Sequence, residues 1–186
     1  MATNIRVRLL VASILLGATT AWAQPPSEGL TFRFLVDSGL RPPASALEWV
    51  EGSPDGVLCF DGVAQDPDNA DVILGHATGC ARIVAQHALV GADSVLALKV
   101  RHIIRLTRGD VVDDDFAIVV PLLDSPTQVY SHGLTATTDI NNIRPELSTR
   151  FYEGRDGTVG VNGNLDLRDF PNRIVFDALF TVRFTN

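Results

Sequence analysis

His102 is the residue best placed to do chemistry. It stands in the middle of the most regular stretch of the chain, residues 93–107, where Leu96, Leu98, Val100, His102, Ile104 and Leu106 fall on one face and Ala97, Lys99, Arg101, Ile103 and Arg105 on the other. That alternation is the signature of a half-buried strand. If the apolar face lines a cavity, a neutral imidazole there would orient a ligand or act as a general base. If the face packs into a solid core, the same histidine is simply hydrogen-bonded to a neighbour. Asp113-Asp114-Asp115 opens the next strand and offers the second opportunity. Alternation puts Asp113 and Asp115 on one face and Asp114 on the other. Two carboxylates at a barrel mouth would do acid–base work if burial split their pKa values. The same run equally serves as a solvated strand edge that discourages aggregation.

Other chemistry-bearing residues are more scattered. His76 and His87 are an odd number of residues apart, so a continuous strand places them on opposite faces, and nothing in the spacing brings His132 to either. A metal site needs convergent ligands, so none is expected. Asp66-x-Asp68-Asn69-x-Asp71 has the oxygen density of a calcium loop but lacks the central glycine and distal glutamate, and Pro67 fits a plain acidic turn. Arg108-Gly109-Asp110 spells a cell-adhesion tripeptide and is also an ordinary hairpin turn. Ser131 and His132 are neighbours, which on a strand point to opposite faces and so form no nucleophile–base pair. The chain contains no nucleophile elbow, phosphate loop or dinucleotide fingerprint, and no cofactor is expected.

The elements that must position these residues follow an export signal. Arg6 and Arg8 precede an apolar run from Leu9 to Ala18, and Ala21-Trp22-Ala23 supplies a small-x-small cleavage site. Residues 1–23 therefore read as a signal peptide, too short in its apolar part to span a bilayer. No later segment reads as a membrane span. Residues 24–30 read as a flexible mature N-terminus, and 31–186 as one domain, secreted or periplasmic. Roughly 160 residues remain, enough for a core without help from metals. Two arginines leave with the signal, lowering a net charge that starts at −7. Lys99 is the single lysine. So acidic a chain is a poor partner for nucleic acid. Its two cysteines, Cys59 and Cys80, read as a disulfide in an oxidising compartment.

From residue 57 onward the pattern is strand after strand. Residues 57–65 and 72–86 pair across the acidic turn and would bring Cys59 and Cys80 together; Gly75 and Gly79 mark bends or bulges. The regular strand 93–107 returns as 111–123. A further strand is expected at 127–137, an irregular connection at 139–148, and a closing hairpin from 158–167 and 173–185. No long helix is expected. With a first strand at 31–37, about eight strands joined by short turns predict an all-β protein, an antiparallel eight-stranded barrel or, alternatively, a β-sandwich.

Three stretches carry a family likeness confined to the C-terminal half. They are IIRLTRGDVV ending at Val112, GRDGTVGVNGNLDL at residues 154–167, and IVFDALFTVRF at residues 174–184. Together they resemble the allene oxide cyclase and dirigent barrel group, though Gly157-Thr158-Val159-Gly160 stands where that group has a Gly-Thr-Gly stretch. The resemblance implies an eight-stranded barrel whose interior holds an apolar small molecule and steers its cyclisation or coupling. No catalytic residue of the group maps onto this chain. The expected lining of such an interior is Leu98, Val100, His102, Ile104, Phe176 and Phe180. A non-enzymatic sandwich that binds protein or glycan through residues 38–56 or 139–148 is the competing expectation, and sequence leaves the oligomeric state open.

Overall fold

A computed structural model describes residues 29–49, 52–88, 94–121 and 134–185. The expected signal peptide at 1–23, most of the expected flexible segment 24–30, and the Ser131-His132 pair lie outside these residues. Eight strands form one closed antiparallel barrel in simple sequence order: β1 (Leu30–Ser38), β2 (Leu58–Gln65), β3 (Ile73–Ala88), β4 (Ser94–Leu106), β5 (Gly109–Pro121), β6 (Leu134–Ile143), β7 (Gly157–Asp166) and β8 (Ile174–Phe184). β8 closes on β1 over nine residue pairs, from Leu30↔Val182 to Ser38↔Ile174. The sandwich alternative is thereby excluded. Closure also removes the free edges that Asp113-Asp114-Asp115 would otherwise have guarded. No helix among the described residues is long and apolar enough to cross a membrane.

Most strands run close to the expected positions because their alternation has a single solution, with the apolar set facing inward. In β1, Phe32, Phe34 and Val36 are buried while Arg33 points outward to Asp177 of β8. In β8, Ile174, Phe176, Ala178, Phe180, Val182 and Phe184 are all buried. Two expectations are corrected. Residues 127–133 of the strand expected at 127–137 lie outside the described residues, and β6 continues through Ile143, so Asp139–Ile143 is strand and not irregular connection. The β2–β3 register shifts at Ala64/Gln65, where Leu74 beside Gly75 is the extra residue of β3, and β3–β4 shifts at Ile83/Ala85, so Gly75 marks a bulge and Gly79 does not. Gly79 serves a different purpose: a Cβ there would sit 2.4 Å from the Phe60 ring and 3.2 Å from that of His102. Its missing side chain is the space those two rings occupy.

One end of the barrel is solid. Phe32 stacks on Phe180 with ring centroids 5.2 Å apart, and Phe34 meets Phe180 edge-on at 5.4 Å. Ile104, Val111, Val159 and Val182, all fully buried, fill the remaining space. Tyr152, on a single 3-10 turn between β6 and β7, stacks against Phe184 below them.

The connection between β1 and β2 folds back over the outside of β2–β4. Arg41 makes an isolated bridge to Cys59, and its guanidinium is clamped between Glu48 and Asp61. Arg41 holds both carboxyls below the usual range. Beneath this flap, Cys59 and Cys80 are opposite one another in the β2–β3 ladder and joined as a disulfide. Both are buried on the outer face of the wall, beside Val57 and Trp49. The sulfurs staple neighbouring strands, as the sequence indicates. The bond closes a 21-residue separation, which the chain-entropy model values at about 3 kcal/mol. The Cys59→Ala/Cys80→Ala protein should therefore lose about that much stability in urea. A matching loss in the wild type under reductant, and none in the double variant, checks the assignment.

Candidate functional site

The opposite end of the barrel is hollow. A cavity of about 730 Å³ opens between the β1–β2 and β7–β8 connections. Its walls are chiefly apolar: Leu58 and Phe60 of β2, Leu96, Leu98 and Val100 of β4, Ala117 and Val119 of β5, Val161 and Leu165 of β7, Phe176 of β8. Thr135 and Thr137 of β6 add hydroxyls to one side, and Asp55 and Arg82 stand among the polar residues of the lining. Small residues create the hollow where large ones would fill it. Ala81 and Ala117 face inward on either side of Val100 and Leu98.

Polar chemistry collects deep inside, where the solid half begins. His102 and Asp139 both line the cavity. Asp113, opposite His102 in the β4–β5 ladder, is completely buried. Its Oδ1 accepts three hydrogen bonds, from the His102 backbone N–H at 3.1 Å, from His102 Nδ1 at 2.9 Å and from Asn141 Nδ2 at 3.1 Å. With Nδ1 held by a carboxylate, the ring is oriented and Nε2 is the nitrogen left for the cavity. The edge contacts with Phe34 and Phe180, 6.3 and 4.9 Å between centroids, fix the ring from below.

Burial alone would depress the pKa of His102, but the charge of Asp113, its hydrogen bond and the charge of Asp139 outweigh burial and raise it. Asp139 is displaced as well. Burial drives it up, the nearby charges of Asp113 and Asp115 add to the effect, and His102 only partly opposes it, so that it titrates at about 7 against an ordinary 3.8. Both groups hold their protons more tightly folded than unfolded, so both stabilise the fold when protonated. The contribution of Asp139 is complete below pH 3.8 and is lost as pH rises to about 7. That of His102 is lost above its ordinary 6.5, as pH passes its raised value. The carboxyls that salt bridges depress, such as Glu48 and Asp166, act only on the acid side of the ordinary range and with opposite sign. The melting temperature should accordingly fall between pH 5 and 8, and Asp139→Asn should flatten the fall. Calorimetry at several pH values measures it.

The sequence-expected residues are distributed as follows. Leu98, Val100, His102 and Phe176 line the cavity. Ile104 and Phe180 face inward but lie in the solid half, wholly buried, and so form its floor instead of its wall. Asp113 reaches the site as the orienting partner of His102. Asp115 does not join it: its carboxylate accepts from Asn142 and from the Phe116 backbone N–H, in a groove on the outer wall. Asp114 points outward to Arg101 and Arg144. The three adjacent carboxylates thus have three separate surroundings. The ladder explains why, because β5 and β6 pair at Asp114↔Asn142 and again only at Ile118↔Thr138, leaving Asp115 free to turn outward between them.

Asp139 and Asn141 were not anticipated, because residues 139–148 read as a connection. A signal was present in the alternation of Thr135, Thr137, Asp139 and Asn141, which a purely hydrophobic template passes over. His76 is exposed and remote from the site. Asp66 and Asn69 spend side-chain oxygens on backbone N–H groups of their own turn. Among the described residues the one grouping with metal-ligand proximity is Glu48 with Cys59 and Cys80, whose thiols are consumed in the disulfide. The chain matches no protein-family model and no curated protein.

Proposed function

We propose that this protein is exported and holds a small, mainly apolar molecule inside its barrel, with His102 placed to give or take a proton from it. The observation that carries this reading is the cavity itself: about 730 Å³, apolar along its walls and ending on two titratable groups. Specific small-molecule sites have this size and make-up, an apolar container with a few convergent polar atoms. An interaction module would instead show a filled interior. The reading extends to proton-transfer chemistry of the cyclase or isomerase kind, in which confinement aligns a reactive molecule and His102 Nε2 works against Asp139. The dirigent-like version needs only the confinement. The disulfide supports an oxidising compartment, as does the signal-like N-terminus.

Native mass spectrometry of protein purified from its own host should reveal a retained small molecule. Displacement of an environment-sensitive apolar dye gives a second measure. Ala117→Phe projects a ring into the hollow and should abolish dye binding while the protein stays folded. Unchanged dye binding in that variant would place the dye elsewhere and remove the support for an interior site.

A further inference from the structure

The polar floor is unbalanced in a way that describes the ligand. Three oxygen atoms there are buried without any hydrogen-bond partner: Asp139 Oδ1, Asn141 Oδ1 and Asp113 Oδ2. All three are acceptors once Asp139 is deprotonated. The buried donors without partners belong to other places, Ser38 and Arg155. Native structures satisfy nearly all buried polar atoms, so a cluster of unmet acceptors marks a missing donor. Charge points the same way. Asp139 has acids around it on β5, Asp113 and Asp115, and among the described residues its one nearby cation is His102 on β4, already hydrogen-bonded to Asp113. Its ladder partner on β7 is Val161, which offers nothing. The remaining basic residue of the cavity, Arg82, is turned to the Trp49 ring and the Ser53 carbonyl.

Resting on the interior-binding reading above, we propose that the ligand is an apolar molecule ending in a protonated amine, taken amine-first so that its ammonium meets Asp139. An ammonium brings three donors and one positive charge and needs no acceptor. A hydroxyl brings one donor only, and a carboxylate would be repelled by the floor. The apolar tail then lies along Leu98, Val100 and Phe176 toward the mouth.

Three straight-chain probes of equal length, octylamine, octanol and octanoate, separate these cases by isothermal titration of the intact mature protein. Octylamine should bind at least about tenfold more tightly than octanol at pH 8. Its affinity should rise by about tenfold from pH 6 to 8, because deprotonation of Asp139 makes the floor more negative while the amine stays protonated. In Asp139→Asn the amine should lose its advantage over the alcohol. Octanol or octanoate binding as well as octylamine, or an amine affinity indifferent to pH, overturns the amine assignment and leaves the cavity reading standing. Failure of all three to bind or to displace the apolar dye overturns both. The pH series needs no variant, so the outcome does not depend on Asp139→Asn folding.

Discussion

Replacing Asp113 with alanine is expected to cost about 3–5 kcal/mol of stability, the largest loss of any single polar substitution in the barrel. The carboxylate is entirely buried and serves three donors, the backbone and ring nitrogens of His102 and the amide of Asn141. Without it, those donors remain inside with no water to replace it, and the raised-pKa histidine loses its counter-charge. The loss should appear as a lower urea midpoint with an unchanged slope. A second consequence concerns the site. With Asp113 gone, desolvation becomes the dominant influence on His102, and its pKa should drop below the wild-type value, which nuclear magnetic resonance of the imidazole follows directly. Asp113→Asn keeps one acceptor oxygen and should fall between alanine and wild type in stability. An alanine variant as stable as the parent, with an unshifted histidine, would falsify the orienting role given to Asp113.

Phe180→Ala should be comparably damaging, about 3–5 kcal/mol. Phe180 is wholly buried and touches the rings of Phe32, Phe34, Phe176 and His102. It forms the layer between the solid and hollow halves, so its removal both loses buried area and joins a new void to the existing cavity. The expected result is a protein with a lower urea midpoint that accepts longer apolar ligands than the parent, measured by titrating a series of alkyl probes. Loss of stability with no change in preferred length would mean that the layer collapses instead of opening.

The disulfide pairing and the eight-strand all-β content were legible because each depends on local pattern. Period-two alternation in β4 and β8 fixes which side chains share a face, whatever surrounds them. Cys59 and Cys80 sit where a turn at 66–71 brings two strands back together, so their pairing needs only the hairpin. His102 was visible as the one polar residue on an apolar face. Asp139 and Asn141 were hidden because β6 alternates between polar and small residues, and such a strand resembles a loop until its neighbours supply the partners.

Sequence alone determined which side chains share a face of most strands, but not which face points inward. Only the tertiary structure decided how far along the axis each one lies. Depth depends on the stagger of eight strands around a closed ring, a global quantity that no single strand encodes. That stagger puts Ile104 and Phe180 in the packed half, Leu98 and Phe176 on the cavity wall, and His102 at the boundary. It also sets Asp113 against His102 and turns Asp115 outward through the gap between β5 and β6. The apolar pattern supplied a barrel interior, and the register divided it into a core and a container.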